Sequence, residues 1–180
     1  MLEPTDLSSM FTKADIEKYF QAEKTLTAIF MILGAIAIVV AIVFFFVMKT
    51  SFYKGAAIPF LLIGILQLAV SYTVFQKTDN DRKTLVYAYD MNPSLLKEKE
   101  LPRMEQVATT FNILLVAEIA FILIGSGLFF FFKNDSNNTF WVGLGLALAL
   151  QGAITFVADL TAKKRATTYT EGLKNFTQKL

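Results

Sequence analysis

The chain has 180 residues, 54% of them hydrophobic and only 18% charged, with a net charge of +2 and neither cysteine nor histidine. Charged content well below the ~25% of soluble domains, with a mean hydropathy of +0.50, points to an integral membrane protein. The missing residue types exclude disulfides, thiolate nucleophiles, imidazole-bound haem, zinc or copper, and every Ser-His or Cys-His triad. Cofactors and metals are therefore expected to be none.

In chain order, residues 1–24 come first and carry Met10, Phe11, Ala14, Tyr19 and Phe20 among charges. Thr12 followed by Asp15 has the spacing of a helix-starting cap. The expectation is a short amphipathic helix lying at the inner membrane interface and leading into the first span. No small-x-small cleavage site follows that span, so it is read as an uncleaved anchor.

Four apolar blocks follow, at residues 25–48, 56–75, 111–132 and 139–160. Each is long enough to cross ~30 Å of hydrocarbon as a helix. Their apolar runs are continuous, not alternating over ~10 residues, which argues for helices over barrel strands. Pro59 falls near the start of the second block, where a first-turn position tolerates its missing N–H.

The expected fold is all-α: four transmembrane helices as two tandem two-helix hairpins, 25–75 and 111–160. They are joined by a helical loop at 76–110 and followed by a tail at 161–180. The tandem arrangement rests on a shift of 84 residues, which places Lys49 on Lys133, Phe45 and Phe46 on Phe129 and Phe130, and Gln67 on Gln151. Units with an even number of spans insert the same way round, so the repeat is parallel.

Orientation follows from the basic residues. Three (Lys49, Lys54 and Lys133) flank the short connections, and the other 14 of 17 lie in the N-terminal segment, the long loop and the tail. The positive-inside bias puts both termini and the long loop in the cytoplasm. The Phe44–Phe46 and Phe129–Phe132 runs and Trp141 then mark the outer interface. These runs and the compact size are read as those of a bacterial inner-membrane protein.

The long loop mixes six basic with six acidic residues, too balanced for a polybasic lipid patch or a nucleic-acid surface. Its first part is expected to prolong the second span as helix. Asn92-Pro93 should restart a short helix, and Pro102 a further one. Tyr87, Tyr89, Leu95, Leu96 and Arg103 form a candidate partner-binding surface, which packing on the membrane face would also explain. Arg103 and Glu105 in ELPRMEQ lie outside a span, so no Arg–Glu–Tyr cluster of a membrane enzyme is apparent. AKKR after the fourth span is read as a routine anchor.

Polar residues at membrane depth carry the strongest functional signal. Glu118 lies seven residues into the third span, about 10 Å deep. Gln151 stands at nearly the same level in the fourth and is expected to hydrogen-bond it. Gln151, Thr155 and Asp159 are spaced by four, sharing one helix face. The repeat copies the glutamine as Gln67 but has Gly34 where the second half has Glu118.

Small residues at spacing four, among them Gly143/Ala147 and Gly145/Ala149, predict close helix contacts within the bundle or across a homodimer. Partners are the lipid bilayer and a second copy or a membrane-complex subunit. The functional expectation is a scaffold or accessory subunit that binds through its loop. The alternatives are a small channel or transporter using Glu118, and then a membrane enzyme on a lipid-like substrate.

Overall fold

The computed structural model describes residues 11–180, so Met10 lies outside the described residues. Those residues are helical, with no strand among them. The helices are α1 (Lys13–Val43), α2 (Ser51–Met91), α3 (Leu101–Phe132) and α4 (Thr139–Thr177). A π-helical turn, Phe44–Met48, closes α1, and another, Leu96–Glu100, leads into α3. All four helices are long and apolar enough to cross a membrane.

Each helix is longer than the hydrocarbon core of a bilayer. α2 has 41 residues, about 60 Å of helix against ~30 Å of hydrocarbon. The excess gathers at the end of the bundle where the described residues begin and end, called the terminal end below. The opposite end holds the two short connections and is the hairpin end.

α1 starts at a capping box: the Thr12 N–H donates to Asp15 Oδ2 at 2.7 Å. From there it runs 31 residues without a break. The N-terminal segment is therefore not a separate interfacial helix. No Gly or Pro interrupts it before Gly34, and its apolar residues Ile16 and Phe20 are fully buried in protein.

Of the prolines, Pro59 departs from expectation. Thr50 caps α2, so the helix starts at Ser51 and Pro59 lies in its third turn, not its first. Asn92 and Pro93 do end α2, since residues before proline avoid helical geometry. Pro102 opens α3 as expected, although the turn before it is already helical. It stands at the first turn of α3, directly after the π turn. The wider π turn absorbs the lost hydrogen bond, and helix continues into the third span.

α2 and α4 form the centre; α1 packs on α2, and α3 on α4. Along the apolar blocks the contacts run over small residues, and large ones face outward, such as Ile32 at 61%, Val116 at 69% and Phe131 at 80% exposed. That inside-out distribution suits a lipid surround. A Cβ added to Gly34 would lie 3.0 Å from the Gly64 carbonyl, and one added to Gly125 would lie 2.6 Å from the Gly145 carbonyl. Near the hairpin end α2 and α4 are closer still: a Cβ on Gly55 would overlap the Phe140 carbonyl, and one on Gly143 that of Phe52. The Gly145/Ala149 pair thus serves the α3–α4 contact, whereas Gly127 faces open space.

The large side chains pack at the terminal end. Phe11, Ile16, Phe20, Leu85, Leu96, Met104, Tyr169 and Leu173 form one buried cluster drawing on all four helices. Tyr19 stacks on Tyr169 with centroids 4.2 Å apart, and Tyr89 on Phe176 at 4.9 Å. The tail is thus an extension of α4 and part of a folded core. Exposed Lys24–Asp79 and Lys13–Asp90 ion pairs also link α1 to α2, contributing little in water.

Candidate functional site

Two polar clusters occupy the interior. The first is at mid-span. Glu118 on α3 is 6% exposed and Gln151 on α4 is 7% exposed, yet no hydrogen bond joins them. Helical side chains lean toward their own N-terminus. α3 enters from the terminal end and α4 from the hairpin end, so the two side chains lean apart. Equal depth therefore does not bring them together.

Glu118 leans instead toward the terminal end and faces Thr155 and Asp159 of α4. The small Gly152 lets α4 pass close by; a Cβ there would lie 3.1 Å from the Glu118 carbonyl. The Thr155 hydroxyl donates to the carbonyls of Gln151 at 3.0 Å and Gly152 at 3.2 Å, so its proton is already committed. Glu118 Oε2 is buried and has no hydrogen-bond partner.

Two carboxyl groups and a hydroxyl thus meet, and Glu118 Oε2 finds no donor among them. A buried acceptor without a donor costs about 1–3 kcal/mol, more when charged. A proton or a small hard cation supplies what the cluster lacks, oxygen being the ligand that such cations take. Beyond Glu118 toward the hairpin end the α3–α4 contact is apolar, with Gly125 and Leu128 against Gly145 and Ala149. Asp159 is half-buried two turns nearer the terminal end than Gln151, so the polar side of the cluster faces that end. Gln67, also half-buried, sits on α2 and shares no hydrogen bond with these residues.

The second cluster is not legible as a unit in the sequence. Arg103 makes two hydrogen bonds to Glu100, 2.7 Å from Nε and 2.8 Å from an Nη, and lies over the Phe20 ring at 5.4 Å. Glu100 is 2% exposed and also accepts from the Tyr169 hydroxyl at 3.1 Å. Alongside, Tyr19 donates to Glu23 at 3.3 Å, and the Thr78 hydroxyl, which bonds the Val74 carbonyl at 2.8 Å, stands 3.5 Å from the same carboxyl.

The electrostatics keep this network closed. Burial lowers the proton affinity of Arg103, but the two bonds to Glu100 outweigh it and hold the guanidinium above its ordinary range. Burial raises Tyr169, reinforced by the Glu100 charge; burial likewise raises Tyr19, with Glu23 adding to it. Both phenols therefore stay protonated as donors. Burial also pushes Glu23 up, against the opposing pull of Arg103. The i,i+3 spacing of Glu100 and Arg103 is visible in the sequence, but only a helix running through Pro102 makes it a pair.

The loop residues fall mostly inside this core. Leu96 is fully buried, Leu95 is half-buried, and Tyr89 is half-buried with its hydroxyl donating to the Phe11 carbonyl at 3.0 Å. Arg103 belongs to the Glu100 pair. Tyr87 alone of that set is openly exposed, at 66%. No group of three acidic residues suited to a metal ion occurs among the described residues. No protein-family model matches the chain, and no curated protein or solved structure matches it either.

Proposed function

We propose that this is a small multi-pass membrane transporter or channel that binds a proton or small monovalent cation at Glu118 and exchanges it with the terminal-end solution through Asp159. The observation that carries this is the buried Glu118 Oε2, which has no hydrogen-bond partner and belongs to a carboxyl lying beside that of Asp159. A glutamine in that place would fill the space without a charge, and ionisable groups inside spans are costly enough that function is the usual reason for them. The positive-inside bias makes the terminal end cytoplasmic.

Duplication of a two-span unit fits the packing. Gly34 abuts Leu68 in the first hairpin, and Glu118 abuts Gly152 in the second. Corresponding members of the two pairs, Gly34 with Glu118 and Leu68 with Gly152, are 84 residues apart in sequence, with the small residue moved to the other helix. The second hairpin gains a carboxylate where the first has only a glycine.

Proteoliposomes test the proposal. With a membrane potential imposed and a pH- or alkali-sensitive dye inside, the wild-type protein carries protons, sodium or potassium faster than protein-free vesicles. Glu118→Gln returns the rate to that of empty vesicles. Wild-type rates indistinguishable from empty vesicles for all three cations would overturn it. A scaffold or accessory role has separate support in Tyr87 and Met91, 66% and 68% exposed one turn apart on α2 beyond the apolar block. The other loop side chains proposed for docking are spent on the internal core.

A further inference from the structure

A shallow groove of about 450 Å³ runs between α1 and α4 at the terminal end. Lys18, Gln21, Ala22, Thr25, Leu26 and Ile29 line one wall, and Arg165 stands on the other. The α1 residues recur every three or four positions, one stripe about 16 Å long. Above the groove the two helices meet through Tyr19 and Phe20 against Tyr169. Farther along, α1 packs on α2 and leaves this side open.

The chemistry changes along the stripe. Leu26 and Ile29 lie within the first apolar block. Arg165 stands five residues beyond the fourth block and Lys18 seven before the first, roughly 7 and 10 Å outside the hydrocarbon. Long basic side chains reach back toward the headgroup level from such positions. Gln21 and Thr25 lie between. Lys18 and Arg165 are the two charged residues lining the groove, and neither forms an ion pair among the described residues, as holds for most of the basic residues.

We infer that this groove is a binding site for an anionic glycerophospholipid. The phosphate sits between Lys18 and Arg165, and an acyl chain lies along Leu26 and Ile29. Two uncompensated cations at headgroup depth demand an anion. The apolar floor within the hydrocarbon favours a lipid over a free phosphate, which leaves that floor unused.

Native mass spectrometry of the purified chain tests this, with phosphatidylglycerol and phosphatidylcholine offered as an equimolar mixture. The wild-type protein retains phosphatidylglycerol preferentially, one molecule tightly held. Lys18→Gln/Arg165→Gln weakens that retention about tenfold. Lys164→Gln/Lys174→Gln removes the same charge from outside the groove and leaves it unchanged. Both substituted pairs are solvent-accessible, and circular dichroism checks that each variant folds. Equal retention of the two lipids by the wild type overturns the site, as do equal losses in the two double variants. Retention of glycerol phosphate as strong as that of the whole lipid, or a dimer that the groove variant alone dissociates, does the same.

Discussion

Arg103→Leu is expected to lower stability by about 3–5 kcal/mol, the cost of leaving a buried charge without its partner. Glu100 is 2% exposed, and after the substitution only the Tyr169 hydroxyl would remain to satisfy its carboxylate. The side chain at 103 also covers Phe20, so leucine keeps part of the packing and isolates the electrostatic loss. Thermal unfolding in detergent, followed by circular dichroism, reads the effect. Glu100→Leu/Arg103→Leu should recover much of it, because an apolar pair leaves no charge stranded. A single variant as stable as wild type would mean that Glu100 reaches water or takes up a proton freely.

Gly143→Ala is expected to be the most damaging single methyl in the spans. A Cβ there would overlap the backbone carbonyl of Phe52, which cannot rotate away as a side chain does. α2 and α4 must separate, and overpacking of this kind costs about 1–3 kcal/mol or more. Gly127→Ala is the matched control, since a Cβ at 127 meets nothing within 4 Å. It should be neutral or stabilising by up to about 1 kcal/mol, through better helix propensity alone. The same unfolding assay separates them: similar Tm values for the two variants would contradict the close α2–α4 contact.

Long apolar runs made the four membrane-length helices legible, and small residues at spacing four marked their contacts. The folded terminal end was less visible. Its apolar residues come as isolated pairs, Ile16 with Phe20 and Tyr169 with Leu173, within charged stretches that resemble membrane-flanking anchors. Their meaning depends on four helices extending together past their apolar blocks, which no local window shows. Pro102 hid the Glu100–Arg103 pair because its usual role as a helix breaker was taken over by a π turn.

At the mid-span cluster the residues were legible and the pairing was not. Depth along a helix locates a backbone, whereas the lean of the side chain decides the neighbour. Glu118 and Gln151 share a level but point to opposite ends, and Thr155 and Asp159 take the place expected of Gln151. Thr155 is spent on its own helix, bonding the carbonyls of Gln151 and Gly152. Oε2 of the mid-span acid is left without a partner, and the proposed exchange role rests on that.

Glu118 as an exchangeable membrane carboxyl is tested most directly by labelling with dicyclohexylcarbodiimide, an apolar reagent that reacts with protonated carboxyls within membranes. Glu100, buried but held by Arg103 and Tyr169, serves as the internal reference. Peptide mass spectrometry should find the adduct on Glu118, falling as pH or alkali-cation concentration rises, with Glu100 unmodified. A Glu118 as inert as Glu100 would contradict the account and leave the carboxylate a structural contact between α3 and α4.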